Sequence, residues 1–481
     1  MTASSGLADV EQFALMKKIT FSQIAFTAVS LIVLACASDD SGTDITDDYV
    51  PIEINTNPDE GEVFQNAELE IDVLANDSNL PTRGSLAVGN ASSGSPVVED
   101  PNNTPDDPRD DVVRYTPNGD FNGEATFTYT ICDEEGRSCA TETVTVNVLP
   151  FSPVNFDLAA WPFETLSEYN FFEGPLADLQ PVYGVLPYKP ISTLFTDYAH
   201  KARQVWMPYE TTATYDADGR ILEFPLGTVL IKTFFYENVL PDNDQRIIET
   251  RLMILKEEGW IFADYIWNEE QNEGFIDAVG DGGFLELEFI EDGVTRFVNY
   301  RIPATAQCLT CHKNSEMAIP IGVKPQNLNS DYAFEDGTMN QLQKWIDMGY
   351  LDQVPANINT VVDWTDASND MELRVRSYLD INCAHCHTPG GHCDYRPLRL
   401  AFDDSDDLVN MGVCVDPQTP IPGFEGDKLI TPGDADNSVL LFRMETTEEQ
   451  YRMPLLGRTL EHEINIDLMR DWINSLDPDC N

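Results

Sequence analysis

The sequence predicts a multidomain chain with an N-terminal β-sandwich over residues 51–149, a central β-rich (α+β) domain over 150–367 and a C-terminal all-α domain over 368–481. Three observations predict it. Between 51 and 149 apolar and polar residues alternate with a period of two, as in Ala125, Phe127, Tyr129 and Ile131 against Thr126, Thr128 and Thr130. From 150 the composition turns aromatic, with strand-like runs at 228–236 (TVLIKTFFY), 247–256 (IIETRLMILK) and 260–267 (WIFADYIW). Near the C-terminus Leu468, Trp472 and Leu476 recur at i, i+4 and i+8, with Met469 and Ile473 alongside, which is the apolar stripe of a helix over 464–476. A second helix is expected over 370–381.

The sandwich is justified strand by strand. Residues 69–73 (LEIDV) alternate, and Val144, Val146 and Val148 repeat the pattern. The strings DVLANDSN at 72–79 and YTPNGDFNGEATFTYTI at 115–131 resemble the cadherin-like and immunoglobulin-like repeats of bacterial surface proteins. That resemblance implies a spacer or adhesion unit. Its asparagines and aspartates suit calcium or ordinary turn chemistry equally, so no metal is assigned there. In the central domain, alternation puts Lys232 beside Phe234 and Tyr236, and Glu249 beside Arg251. Charges inside apolar strands ordinarily make structural ion pairs, and a catalytic role is the alternative.

Charge and the N-terminus bound the setting. With 83 acidic against 28 basic residues and a net charge of -55, the chain is an unfavourable partner for nucleic acid. Met16-Lys17-Lys18 starts a short basic segment, and the apolar run at 24–34 is too short for a comfortable membrane span. Residues 1–36 therefore read as a signal peptide with Met16 as the start. Its end, Val33-Leu34-Ala35-Cys36, resembles the lipobox of bacterial lipoproteins, which makes Cys36 the lipidated residue. The acidic linker at 37–50 opens with Ala37-Ser38-Asp39-Asp40, similar to the signal that sends some lipoproteins to the outer cell surface. An outer-membrane lipoprotein held to the membrane by its lipid is the expected localisation.

Of the ten cysteines, four form two copies of one pattern, Cys308-Leu309-Thr310-Cys311-His312 and Cys383-Ala384-His385-Cys386-His387. In C-x-x-C-H, two thiols three positions apart can add to the two vinyl groups of one haem, and the adjacent histidine ligates the iron. Chance would give about 0.003 such motifs in a chain of this composition, so two of them point to two covalently bound haem c groups. A zinc site on Cys308, Cys311, Cys383 and Cys386 is the first rival, with the pairs far apart in sequence and the histidines unneeded. A thioredoxin-like pair is the second, but neither motif opens a helix after a strand in a βαβ pattern. Cys132 and Cys139 flank a turn and are expected to bridge a hairpin, Cys393 with Cys414 is the next expected disulfide, and Cys480 is left over.

Between the second motif and the closing helix lies Met453-Pro454-Leu455-Leu456-Gly457, where Met453 can present its thioether to iron opposite His387. Met444 is its competitor. No such loop follows the first motif. Met317, Met339, Met348 and His200 are the available ligands there, or the distal position is open.

These residues carry a family resemblance. LFTDYAHKARQVWMP at 194–208, FPLGTVLIKTF at 224–234, IETRLMI at 248–254 and YIWNEEQ at 265–271, followed by QCLTCH and NCAHCH, resemble a family of bacterial dihaem c-type cytochromes of unassigned physiological role. The resemblance covers about residues 155–481, and ITPGDADNSVLLFRM to MPLLG is similar to the final segment of many cytochrome c domains. It implies that 368–481 is a cytochrome c domain and that the chain transfers electrons to redox partners at the cell envelope. A weaker resemblance, to small β-barrel c-type cytochromes, implies an open distal site on the first haem, and with it a haem enzyme or gas-binding protein. A surface adhesion protein is the third reading.

Overall fold

The computed structural model describes residues 49–481 apart from 66, 120, 478 and 481. The segment with Met16 and Cys36, and the linker as far as residue 48, lie outside these residues. No helix among the described residues is long and apolar enough to cross a membrane.

The first strands are β1 (Asp59–Phe64), β2 (Leu69–Ile71), β3 (Gly84–Val88), β4 (Ser95–Glu99), β5 (Val112–Thr116), β6 (Gly123–Asp133) and β7 (Cys139–Leu149). They form a four-stranded sheet in the order β1-β7-β6-β3 facing a three-stranded one in the order β2-β5-β4. Alternation has the expected outcome: Ala125, Phe127, Tyr129 and Ile131 from β6 and Val144, Val146 and Val148 from β7 are buried between the sheets. The β6–β7 hairpin closes on the Cys132–Cys139 disulfide. Asp133 Oδ1 accepts from the amides of Arg137 and Ser138 across its turn, where Gly136 takes a positive φ of 64°.

A larger sheet follows, built from β8 (Leu186–Pro187), β9 (His200–Trp206), β10 (Val229–Val239), β11 (Asp244–Lys256), β12 (Gly259–Trp267), β13 (Gly274–Ile276), β14 (Gly283–Glu291) and β15 (Val294–Ile302). Its main path is β13-β12-β11-β10-β14-β15, with β9 added to β10 and β8 to β9. One face buries Val229, Ile231, Leu252 and Ile254 under Trp161, Leu166, Tyr169 and Phe171. The other face is mixed. In register across it stand Val205, Leu230, Met253 and Phe262, and in the next row Arg203, Lys232, Arg251 and Asp264.

Beyond the sheet come α1 (Thr305–Cys311), the hairpin β16 (Lys313–Asn314) and β17 (Met317–Ala318), α2 (Pro325–Leu328), the hairpin β18 (Asp331–Phe334) and β19 (Gly337–Asn340), and α3 (Gln341–Asp347). Then follow α4 (Met371–Leu379), α5 (Val439–Glu445) and α6 (Glu463–Ser475). Asp370 caps α4, its side chain accepting from the amides of Glu372 and Leu373. The expected stripe of α6 is buried: Leu468, Met469, Trp472 and Ile473 pack with Val375 and Leu379 of α4.

The all-α expectation for 368–481 is nevertheless overturned. Strand makes up 31% and helix 15% of the structure, in six short helices, and no all-α C-terminal domain is present among the described residues. Residues 385–438 contain no α-helix. The physical reason is local: Pro389, Pro397, Pro417, Pro420, Pro422 and Pro432 interrupt any run, and Gly390, Gly412, Cys414, Gly423 and Gly433 take positive φ. Aspartates then satisfy the backbone in turns, as where Asp407 accepts from the Val409 amide.

The expected Cys393–Cys414 disulfide is also corrected. Cys414 pairs with Cys480, and Cys393 is a buried free thiol. Cys414 lies at the edge of the core that α6 enters, so the chain end leaving α6 is the nearer partner.

Candidate redox site

The two C-x-x-C-H motifs, 75 positions apart from Cys308 to Cys383, are brought side by side. The first lies on α1, whose entry is held by Gln307 Oε1 accepting from the Ala304 amide. The second begins where α4 widens into a π-turn at Asp380–Ala384. Asp380, buried at the base of that turn, accepts from Lys324 Nζ at 2.7 Å and from the Phe402 amide at 3.1 Å. Asn382 is pinned by the Phe195 amide at 2.8 Å.

Where the motifs meet, Cys386 Sγ donates to the Thr310 carbonyl at 3.3 Å, and the Ser315 amide donates to the Gly390 carbonyl at 2.7 Å. The ligating atoms of Cys311, His385 and Cys386 all lie within 4.8 Å of one another. Distance in sequence is therefore no argument against a shared metal at this seam. Three donors still fall short of the four that a closed zinc site uses, and such a site would leave His312 and His387 without a role.

On either side of the seam each motif opens on its own cavity. The first-motif cavity is lined by Cys308, Cys311 and His312, with Leu230, Met253 and Phe262 of the sheet. The second-motif cavity is lined by Cys383 and His387, with Leu398, Leu400, Leu429 and Leu440. In a chain with three acids for every base, both cavities are lined by cations and by no Asp or Glu. Arg203, Lys232, Arg251 and Arg301 face the first, and Arg396, Arg443 and Arg458 the second. Cys308 with Cys311 at the first cavity, Cys383 at the second with Cys386 at the seam, a histidine and apolar walls in each, and cations on the lining fit covalently held macrocycles with carboxylate arms.

Electrostatics suits the histidines to ligation. Burial pushes His312 down to about 3 and His387 down to about 4, so both rings are neutral at neutral pH. His312 Nδ1 donates to the Ile319 carbonyl at 2.9 Å, which leaves the Nε2 lone pair free to bind a metal. His387 Nδ1 is buried without a partner. Burial also raises the Cys308 thiol to about 11 and Cys383 to about 12.

Met453 lines the second cavity, and so do Met444, His392 and His462. The Met453 loop is held by Arg458, a residue that sequence reasoning did not single out. Its guanidinium donates to the carbonyls of Met453, Arg443, Thr446 and Leu460. His462 is otherwise engaged, its ring stacked on Phe195 at 3.9 Å and its Nδ1 3.1 Å from the Tyr378 hydroxyl. None of the ligands expected for the first motif lines its cavity. Met317 and Met339 are exposed, Met348 packs beside α3, and His200 pairs with Glu291 at 3.2 Å.

Of the charged strand residues, Glu249 and Arg251 form the expected buried pair, with Tyr300 donating to Glu249 at 2.6 Å. Burial would raise the Glu249 carboxyl, but Arg251 brings it below its ordinary value. Burial and the charge of Glu249 raise its neighbour Asp264 well above its ordinary value. Lys232 is different. It stands over the Phe234 ring at 4.8 Å and has no carboxylate partner among the described residues.

The bacterial Ig domain family matches residues 47–148. No curated protein matches the chain. Among solved structures, the 2,6-sialyltransferase of Photobacterium sp. JT-ISH-224 aligns at 13% identity and a TM-score of 0.15. That alignment covers 20% of this chain and 18% of the sialyltransferase, and it carries no argument about fold or activity.

Proposed function

We propose that the chain is an exported dihaem c-type cytochrome whose activity is electron transfer at the cell envelope. The observation that carries this reading is the pair of cavities, each opening beside its own C-x-x-C-H motif, cation-lined, free of carboxylates and joined at one seam. Haem c, when bound, supplies a covalently tethered iron that alternates between ferric and ferrous states. In this reading Cys308 with Cys311, and Cys383 with Cys386, hold the groups by thioether bonds, and His312 and His387 offer neutral imidazole nitrogens. Met453 would offer a thioether from the wall of the cavity that His387 also lines, on a loop fixed by Arg458. The resemblance of residues 155–481 to dihaem cytochromes supports the same reading.

A second reading, a haem enzyme or gas-binding protein, is favoured by one observation: none of Met317, Met339, Met348 and His200 lines the first-motif cavity, whose one lining methionine is Met253 of the sheet. In either case Cys36 anchors the chain in the outer membrane through its lipid, and the Ig-like module is a spacer. The net charge of -55 suits a redox partner with a basic face and disfavours nucleic acid.

The test is covalent attachment. After expression with c-type assembly machinery, wild type should keep its haem stain on denaturing gels. Cys308→Ala and Cys383→Ala should each lose part of it, and the double variant nearly all. A wild-type stain that vanishes on denaturation would overturn the reading.

A further inference from the structure

We propose that Arg203, Lys232 and Arg251, with Arg301 at the rim, form an anion-binding site in the first-motif cavity that takes a carboxylate or small oxyanion. The three inner residues are one cross-strand row, because β9, β10 and β11 align Arg203 with Lys232 and Lys232 with Arg251. Side chains directly opposite on adjacent strands share a face, and like charges there repel unless something compensates them.

The protein's own acids leave that compensation incomplete. Glu249 is engaged by Arg251 and Tyr300, and Asp264 lies at the far end of the row, beyond Arg251. Among the described residues the one carboxylate that Arg301 reaches is the exposed Glu449, at 3.4 Å. Arg203 is 8% exposed, and its one side-chain hydrogen bond goes to the Lys201 carbonyl at 3.5 Å. Lys232 has only the Phe234 ring among the described residues, and burial with the cations beside it pushes its ammonium well below its ordinary value. Buried charges are ordinarily paired, since desolvating a lone cation costs several kcal/mol. Here two of them face a cavity, in a chain whose acids outnumber its bases 83 to 28. Guanidinium groups with an ammonium between them match the oxygens of a carboxylate or oxyanion.

The anion has two sources of the same chemistry: the carboxylate arms of the haem itself, or a diffusible anion beside His312. The site's use in redox chemistry rests on the dihaem reading, but the cationic row does not. The experiment therefore begins with a haem count on the purified full-length protein, and a chain without covalent haem overturns the dihaem reading alone. Nitrite and formate are then titrated calorimetrically and in the Soret region into wild type, Arg203→Gln, Lys232→Gln, Lys232→Arg and Arg301→Gln.

For a diffusible anion, wild type binds saturably, the two buried glutamine variants lose about ten-fold or more in affinity, and Lys232→Arg retains it. If haem carboxylates fill the site, added anion does not bind. The same two variants then lower the midpoint potential of the first-motif haem, while Lys232→Arg leaves it close to wild type. The proposal is overturned if removing either cation changes neither anion binding nor potential. Should the buried variants not fold, Arg301→Gln carries the test with a several-fold loss, and an unchanged Arg301→Gln counts against the proposal.

Discussion

Cutting the Cys414–Cys480 bond by Cys480→Ser should loosen the wall of the second cavity selectively. The bond closes a loop with a sequence separation of 66, which contains α5, the Met453 loop, Arg458 and α6. In the chain-entropy treatment a cross-link of that span restricts the open form by roughly 4 kcal/mol at 25 °C. At 1.4 kcal/mol for each factor of ten, the open population of this segment should rise about a thousand-fold. Amide exchange of α6 reads that population directly, through residues such as Met469 and Trp472 that the core otherwise protects. The strands β6 and β7, outside the loop, should exchange as in wild type. Exchange of α6 within about three-fold of wild type would refute the entropic reasoning. A Cys393→Ser variant that behaves like Cys480→Ser, or a peptide linking Cys393 to Cys414, would refute the pairing itself.

On the dihaem reading, Met453→Ala should lower the potential of the haem held at the second motif and abolish any near-infrared band of methionine ligation, while Met444→Ala leaves both nearly unchanged; the reverse outcome assigns Met444, which lines the same cavity. Cys36→Ser should leave the protein soluble or unprocessed, and unchanged membrane partition would count against lipidation. Asp59, pushed up to about 6 by burial and by Asp77, favours the neutral form in the fold. Its contribution is thus fully present below the ordinary value near 3.8 and lost as pH rises through about 6. Asp59→Asn should flatten that dependence in amide exchange of β6 and stabilise the Ig-like module at neutral pH, and an unaltered slope would exclude Asp59 as its source.

Local patterns were legible and non-local ones were not. The strands β6, β7, β10, β11 and β12 were readable because alternation or apolar runs are properties of a few adjacent residues. Cys132–Cys139 was readable for the same reason, since a hairpin turn alone brings the two together. Cys414–Cys480 depends on where α6 ends in three dimensions, which spacing does not encode. The all-α expectation arose by extending real helical signals at α4 and α6 across the proline-rich stretch between them. At the candidate site the motif residues were plain, but their adjacency was not, because the seam is made by tertiary packing of α1 against the segment after α4. Lys232 and Arg251 stood out as charges in apolar strands. The carboxylate partner of Arg251 is two residues away on the same strand, whereas strand register sets Arg203 and Arg251 on either side of Lys232. The hint in the sequence is a basic residue within each of the strand segments KARQV, LIKTF and ETRLM.

Asn382 and Pro454 each border both cavities, and each also lies at the seam between them. The interior is thus a pair of rooms sharing a wall rather than two self-contained modules in tandem. A substitution in that wall should register in both rooms at once, so spectra of such variants cannot be decomposed into one altered and one untouched centre. Neither cavity keeps its wall without the other, because Asn382 and Pro454 belong to both.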